Sequence, residues 1–234
     1  MPSSSSRSKA GYDLHPSVLM AQKTLAGLKQ KTGRSLQEWI LLVRQKGPED
    51  EKQRRAWLKA KHGLGTNYAS WIAEQSFGKG NDGNPDSYLQ AADRYVEEMF
   101  SGAKTALRPI YDELLKLGRS FGPDVKVCPC QTMVPFYRNH VFAQIKPSTR
   151  DRIDLGLALK DTKVPKRLID TGGFAKKDRI THRIEISSLH DIDEEVKRWL
   201  KKAYDMDAEA RRGNPPAKRT CVISSVRNSR LGLS

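Results

Sequence analysis

The sequence predicts an α+β protein in which an N-terminal helical module is followed by a mainly antiparallel β-sheet domain flanked by helices. Three runs between residues 139 and 187 alternate apolar and polar side chains, which gives each strand one apolar face. Segments before and after these runs repeat apolar residues at helical spacing. The 234 residues suffice for one sizeable core, or for a small domain and a medium one.

Composition changes along the chain suggest the domain boundaries. Residues 1–11 are rich in serine and are expected to be disordered. Residues 12–76 form the helical module, and residues 77–84, with three glycines in eight positions, form the linker. The α+β domain covers residues 85–205, and residues 206–234 are predicted to be a basic disordered tail.

Four helices are predicted in the helical module. The first covers about residues 16–31 and ends at Gly33. Ser35 opens the second helix through a capping box with Glu38, in which each side chain binds the other residue's backbone amide. A third helix over about residues 50–61 meets the fourth across Gly63-Leu64-Gly65.

The α+β domain is predicted to begin with a helix after Asn84-Pro85, because proline is favoured at the first helical position. A second helix follows over about residues 107–121, and a third over 191–204, with Asp191 as its cap. A long loop is predicted at residues 160–179. The predicted strands lie near residues 124–128, 131–136, 139–146, 152–159 and 180–187.

Cysteine and histidine spacing gives no support for a cofactor or a metal ion. Cys128 and Cys130 are separated by one residue, unlike a zinc knuckle, and Cys221 stands alone. We therefore expect reduced, unremarkable thiols, no cofactor and no metal. No Walker loop, nucleophile elbow or dinucleotide fingerprint is present, which favours a non-enzymatic role and leaves an enzyme open as the alternative. The chain has neither a secretory signal nor an apolar run long enough to span a bilayer, which predicts a cytoplasmic protein without membrane contact.

The charge of the chain favours a polyanionic partner. The formal net charge is +15, and the sequence pI is about 9.8. Residues 12–80 carry +6, whereas the longer stretch of residues 81–205 carries only +3. A basic surface gains affinity for nucleic acid by releasing counterions from the phosphates.

The sharpest candidate site is the glycine corner between the third and fourth helices. Two glycines allow a tight turn, and the free amides at the start of a helix attract phosphate. The pattern resembles the core of a helix-hairpin-helix motif, except that His62 stands where that motif usually has proline. An ordinary structural corner remains the alternative. The predicted contacts are Lys59, Lys61, Gly63, Gly65, Thr66 and Asn67.

A second candidate is the basic segment of residues 160–183, which contains paired glycines and eight cations against three acids. A long loop inside a compact domain is often functional. It could clamp a phosphate backbone, cover a ligand or be simply solvated. The predicted phosphate contacts here are Lys166, Arg167, Lys176, Lys177 and Arg179, and the segment also contains Lys160, Lys163 and Arg183.

The sheet surface offers an alternative site for a small ligand, under the loop of residues 160–179. Its predicted contacts are Arg138, His140, Lys146 and Arg152. Phe142 lies among these cations and could form a base-stacking platform, or it could be buried beneath a helix.

Two stretches resemble bacterial two-module proteins of unknown function. Residues 31–40 and 57–69, with Trp57-Leu58-Lys59 and His62-Gly63-Leu64-Gly65, are similar to a small helical domain. Arg108-Pro109-Ile110-Tyr111, residues 142–149 and residues 199–204 are similar to a C-terminal α+β domain. The resemblance covers about residues 30–205. It implies no catalytic residues; similar C-terminal modules are sometimes joined to predicted nucleases and sometimes labelled as transport-related.

These observations give three functional hypotheses. The first is DNA binding without sequence specificity, with RNA as the related partner, through the glycine corner and the basic segment. The second is a small-ligand or enzymatic site on the sheet. The third is a protein–protein adaptor, which exposed Trp39, Trp57 or Trp71 would favour. The sequence does not indicate an oligomeric state.

Overall fold

The computed structural model describes residues 8–78, 84–162 and 166–209, which form two compact units. The helical unit consists of the described residues between 16 and 88, and the sheet unit consists of residues 8–15 together with those from 89 onward. The predicted disorder at residues 1–7 and from 210 onward, and most of the predicted linker, lie outside the described residues. None of the helices in the described parts of the chain is long and apolar enough to cross a membrane.

All four helices predicted for the helical unit are present. Their bounds are α1 (Pro16–Thr32), α2 (Leu36–Lys46), α3 (Glu51–His62) and α4 (Thr66–Ser76). The capping box is confirmed: the Glu38 amide donates to Ser35 Oγ at 3.3 Å, and the Ser35 amide donates to Glu38 Oε2 at 2.6 Å. Leu28, Trp39 and Leu58 lie in a shared core, which fixes α1, α2 and α3 against one another.

The sheet unit contains one antiparallel sheet of six strands in the order β1-β2-β3-β4-β6-β5, which confirms the predicted fold class. The strands are β1 (Lys126–Val127), β2 (Val134–Tyr137), β3 (Val141–Pro147), β4 (Ile153–Leu157), β5 (Ile169–Asp170) and β6 (His182–Ile186). Strand β5 lies within the predicted loop of residues 160–179. Its two residues are too few to show an alternating pattern.

The two faces of the sheet differ as the alternation predicts. Ile145, Leu155 and Ile184 are neighbours in register and are fully buried. The next residues along each strand form the polar face, where Lys146 and Glu185 lie on either side of Asp154. The apolar face therefore supplies the core of this unit.

Three helices flank this sheet: α5 (Pro85–Met99), which begins in the helical unit, α6 (Arg108–Arg119) and α7 (Glu194–Glu209). Gly118 of α6 lies against Phe136, since a Cβ at residue 118 would come within 2.6 Å of the ring. Val196 and Leu200 of α7 are fully buried.

Helix α7 begins and ends later than the sequence predicts. Asp193 caps it by accepting the amides of Glu195 and Val196, each at 3.0 Å. Asp191 instead lies inside a short 3-10 turn, Leu189–Asp191, where it forms a capping box with the N-cap residue Ser188. The helix continues five residues beyond the predicted end at residue 204.

Residues 12–15 belong to the sheet unit, whereas the sequence groups them with the helices. The Tyr12 hydroxyl lies 2.9 Å from that of Tyr111, and His15 Nε2 lies 3.1 Å from the Tyr137 hydroxyl. These are contacts between residues far apart in the chain, which local periodicity does not reveal.

Cys128 and Cys130 are buried free thiols, as expected, and Cys221 lies outside the described residues. Burial raises the pKa of the Cys128 thiol well above its ordinary value, which disfavours the reactive thiolate.

Candidate nucleic-acid interface

The glycine corner begins where α3 ends at Gly63. This residue has φ 63°, in the left-handed region that glycine adopts without strain. The Gly63 amide donates to the Lys59 carbonyl at 3.1 Å, and the Leu64 amide donates to the Leu58 carbonyl at 3.3 Å. Leu64 is buried in the core. These two amides are thus engaged within the protein and are not available to a phosphate, contrary to the prediction for Gly63.

The amides that follow belong to the first turn of α4. Gly65 is the N-cap residue and provides no side-chain cap. Within the described parts of the chain, the amides of Thr66, Asn67 and Tyr68 have no hydrogen-bond acceptor. Gly65, Thr66 and Asn67 are exposed to solvent. The corner therefore presents three unsatisfied donors at the positive end of a helix dipole.

A cleft of about 370 Å³ adjoins this corner within the helical unit. Among the described residues, its lining includes Lys31 and Arg34 but no acidic residue. Both cations are exposed, and neither forms an ion pair with any described residue. Lys59 and Lys61 are exposed on the last turn of α3, which ends at the cleft-lining residue His62. The cleft is lined by Lys31, Thr32, Arg34, Trp39, His62, Gly63, Leu64, Gly65 and Tyr68.

Aromatic rings hold two of these cations in place. The Arg34 guanidinium lies 5.1 Å from the Trp39 ring centroid, and Lys61 Nζ lies 5.9 Å from that of Trp57. The His62 ring makes edge contacts with both tryptophans, with centroids 5.2 and 4.5 Å apart. Desolvation, together with the charges of Arg34 and Lys61, lowers the pKa of His62. His62 is therefore neutral at pH 7, and the positive charge comes from the longer side chains.

The three tryptophans of the helical unit are not exposed. Trp39 is buried, and Trp57 and Trp71 are partly buried against the core. The feature that would favour an adaptor surface is thus missing from this part of the molecule.

Within the sheet unit, the structure engages both arginines of the basic segment that were predicted to contact phosphate, and it pairs the third, Arg183, with Asp154. Arg167 binds Asp193 and the Asp191 carbonyl near the start of α7. Arg179 Nε donates to the Val141 carbonyl at 2.8 Å, and its Nη2 binds Asp207. Each guanidinium is therefore held by an internal acceptor, which leaves less of its charge for a phosphate than the sequence predicts.

The lysines of this segment remain at the surface. Lys166, Lys176 and Lys177 are exposed, whereas Lys163 lies outside the described residues. Residues 172–178 form a compact turn, in which the Asp178 amide donates to the Gly173 carbonyl at 2.8 Å.

The four residues predicted for a small-ligand site occupy separate clusters. Arg138 Nε binds Asp124 at 2.6 Å, with its guanidinium 4.0 Å from the Tyr204 ring centroid. The hydrogen bond from Tyr204, aided by Arg138, holds the pKa of Asp124 below its ordinary value. His140 Nδ1 lies 3.2 Å from Asp207 Oδ1.

The other two predicted residues lie elsewhere on the sheet. Arg152, beside the start of β4, lies 3.1 Å from Asp154 and 3.0 Å from Glu185. Lys146 is exposed near the end of β3. Arg138 and His140 thus lie before the start of β3, whereas Lys146 and Arg152 lie near its other end. The four residues do not form one ligand site.

Phe142 is not a stacking platform. It is fully buried, with its ring centroid 6.0 Å from Phe136 and 5.5 Å from Tyr204. The interpretation as core beneath a helix is the correct one.

Sequence reasoning missed Lys31, Arg34 and Asp207. Lys31 and Arg34 flank Gly33 between α1 and α2, and tertiary packing brings them to the corner. The sequence Lys-Thr-Gly-Arg was the available signal, but nothing in it indicates which later segment it meets. No group of three metal-ligating side chains occurs in the portion of the chain that the structure describes.

Two family models match the chain. Residues 20–76 match a domain of unknown function (DUF4287), and residues 96–207 match a second domain of unknown function (DUF5655). The chain is accordingly a two-module protein, as the resemblance implied. No curated protein and no solved structure matches it.

Proposed function

We propose that this two-module protein binds DNA through backbone phosphates, without reading base sequence, at the glycine corner of its helical unit. The observation that supports this proposal is the uncapped first turn of α4, beside a cleft whose lining has cations and no acid. Helix N-termini bind phosphate through free amides and the helix dipole. Such a protein would act in the cytoplasm, where bacterial DNA is accessible.

Phosphate binding of this kind carries little sequence information. Backbone amides and lysines contact groups that every nucleotide shares, whereas base readout requires side chains in a groove. Lys59 and Lys61 are exposed on the last turn of α3, and Gly63-Leu64-Gly65 connects this turn to the α4 amides. We therefore expect a phosphate backbone to contact both kinds of donor. We expect two duplexes of unrelated sequence to bind with similar affinity.

The test is fluorescence anisotropy with a labelled 20-base-pair duplex and the full chain over a series of salt concentrations. Affinity should fall steeply with salt, because each neutralised phosphate adds about 0.9 to the slope of log K against log salt. The double variant Lys59→Gln/Lys61→Gln should lower this slope by up to about 2.

The control is Lys46→Gln/Lys52→Gln, which removes the same charge from exposed positions outside the cleft. It should change the slope much less than the corner variant. The proposal is wrong if the duplex does not bind at low salt, or if the two double variants weaken binding equally.

A further inference from the structure

A second cleft, of about 550 Å³, lies within the sheet unit and plays no part in the proposed DNA contact. It is formed where α5, the end of β3 and the turn after β3 meet. We call it the 146–150 cleft. Its lining comprises Glu98, Met99, Ser101, Ala103, Lys104, Gln131, Thr132, Lys146, Pro147, Ser148 and Arg150.

The lining of the 146–150 cleft is positively charged. The described residues of this lining include three cations, Lys104, Lys146 and Arg150, and a single acid, Glu98. Glu98 faces a cation on its own helix, since its carboxylate lies 3.5 Å from Arg94 Nε. The described lining therefore has an excess of positive charge, because its one carboxylate already faces Arg94.

Lys104 is fixed in the wall. Its Nζ donates to the Pro147 carbonyl at 2.7 Å, which leaves two of its three N–H donors for another acceptor. The carbonyl positions the ammonium group without neutralising its charge.

Lys146 and Arg150 are exposed, and neither forms an ion pair within the described residues. The nearest acids along the sequence and across the sheet already have partners. Asp151 accepts the Thr149 hydroxyl at 2.6 Å, and this bond, aided by the charge of Arg150, holds the pKa of Asp151 below its ordinary value without an ion pair between the two residues. Asp154, opposite Lys146 in register, binds Arg152 and Arg183.

This arrangement differs from the rest of the sheet unit, where arginines are mostly paired with carboxylates. Arg108, Arg138, Arg152, Arg167, Arg179 and Arg183 all form ion pairs. The cations of the 146–150 cleft form no such ion pair with any carboxylate that the structure describes, so an external anion can bind there without displacing one of these carboxylates.

The remaining lining indicates the chemistry of the ligand. Gln131 and Thr132 add neutral hydrogen-bond donors, while Met99, Ala103 and Pro147 provide apolar surface. Three cations match the charge of a phosphate monoester better than that of a single carboxylate. We propose that the 146–150 cleft binds a small phosphate monoester whose other end is apolar or aromatic.

Isothermal titration calorimetry on the full chain tests this proposal, with phenyl phosphate as the probe and phenol and phenylsulfonate as controls. Phenyl phosphate should bind most tightly, phenylsulfonate more weakly because it carries one charge, and phenol not measurably. Lys146→Gln/Arg150→Gln should weaken phenyl phosphate binding at least about tenfold, given the contribution of charge-assisted hydrogen bonds.

The matched control is Lys116→Gln/Lys201→Gln, which removes two exposed lysines from α6 and α7. It should leave phenyl phosphate binding within about twofold of the unaltered protein. The proposal is overturned if phenyl phosphate gives no heat up to about 10 mM, if phenol binds equally well, or if both double variants lose affinity equally.

A competition experiment separates a small phosphate monoester from the phosphates of a nucleic acid. A saturating 20-base-pair duplex should not displace phenyl phosphate, and Lys146→Gln/Arg150→Gln should bind the duplex like the unaltered protein. Full displacement by the duplex would assign the phenyl phosphate to the nucleic-acid surface and overturn the separate site. Failure of duplex binding would leave the calorimetric result unaffected.

Discussion

Two groups of cations in this molecule differ in whether a carboxylate neutralises them. One lines the cleft at the glycine corner of the helical unit, and the other belongs to the Asp207 cluster of the sheet unit, formed by Asn139, His140, Arg179 and Asp207. In the corner cleft, Lys31 and Arg34 have no acidic neighbour in the lining. In the sheet unit, the nearly inaccessible carboxylate of Asp207 binds Arg179 and His140. Net charge therefore does not measure the positive potential offered to a partner, because internal carboxylates remove part of it.

The two groups of cations differ because a buried carboxylate accepts backbone amides in the sheet unit, whereas no described side chain caps the α4 amides at the corner. Asp207 Oδ2 accepts the amides of Asn139 and His140, at 2.7 and 3.0 Å, and thereby joins α7 to the turn between β2 and β3. Arg179 compensates the buried negative charge. At the corner, the first-turn amides of α4 have no such acceptor among the residues that the structure describes, although they carry the same partial charge.

The largest effect should come from Asp207→Asn. This change removes the negative charge that Arg179 and His140 face, and leaves one buried acceptor fewer for the backbone amides. Asp207 is buried but Arg179 is partly exposed, so most of the loss comes from the buried carboxylate and the two amides that it binds. The free energy of unfolding should fall by about 3 kcal/mol. Urea denaturation measures this change.

Asp205→Asn is the control, because Asp205 lies two residues before Asp207 and, within the described part of the chain, binds only the exposed Lys201. It should change stability by less than about 0.5 kcal/mol. Equal destabilisation by the two substitutions would show that the buried carboxylate does not hold the cluster together.

The same substitution at two glycines should have opposite effects in the two units. A Cβ at Gly173 would lie 2.2 Å from the Ile180 carbonyl oxygen, so Gly173→Ala forces the backbone apart and should destabilise the protein by about 2 kcal/mol. A Cβ at Gly27, inside α1, meets its nearest atoms at 3.9 Å. Gly27→Ala should stabilise the protein by about 0.5–1 kcal/mol.

Thermal denaturation of both variants checks this pair. A neutral result for Gly173→Ala would mean that the turn of residues 172–178 is loosely attached, as expected of a solvated loop. It would then restore the basic segment as a mobile phosphate-binding element.

The histidines allow a third comparison, through pH. Burial lowers the pKa of His15 to about 4, so this side chain stays neutral in the folded protein while the unfolded chain takes up a proton below pH 6.5. Stability should therefore fall as the pH drops from 6.5 towards 4. His15 alone should account for a loss of about 1.4 kcal/mol by pH 5.5.

Replacing His15 by Gln should remove this part of the pH dependence, although it also alters the contact with Tyr137. The comparison is therefore between slopes of stability against pH, with His190→Gln as the control at an exposed position. An unchanged slope in His15→Gln would place the acid sensitivity elsewhere.

Local sequence patterns predicted the elements of this fold better than the use of its charges. Alternation in residues 139–146 and 180–187 identifies β3 and β6, because one face of each strand is buried. The paired glycines of residues 172–173 suggested mobility, whereas Gly173 is required for close backbone packing. The pairing of Arg167 and Arg179 depends on acids 26 and 28 residues away, which no local pattern connects to them.

The position of the candidate site could be predicted from the sequence, but its free amides and its full set of cations could not. The glycine corner follows from Gly63 and Gly65, with the end of one helix and the start of the next. Which of its amides remain free depends on Leu64, because burial of this side chain draws its amide toward Leu58. The contribution of Arg34 required knowledge of tertiary packing.

The substitution with the smallest expected effect on stability is at Gly65, and it tests whether the uncapped amides of α4 bind phosphate. Gly65 has φ −61° and ψ 154°, which suits a side-chain N-cap, and a Cβ there would meet no atom within 4 Å. Gly65→Asn should cap α4 and stabilise it by a few tenths of a kcal/mol. Its side-chain oxygen would occupy an amide that we propose for phosphate, so duplex affinity should fall while stability rises.

Gly65→Asp adds a negative charge to the same cap and should weaken duplex binding further, with a similar gain in stability. Thermal denaturation and anisotropy on the same samples measure the two quantities. A capped variant that binds the duplex as well as the unaltered protein would show that the lysines act without the α4 amides. The corner would then be a structural turn beside a basic surface, because a phosphate cannot share an amide that is already satisfied by its own helix cap.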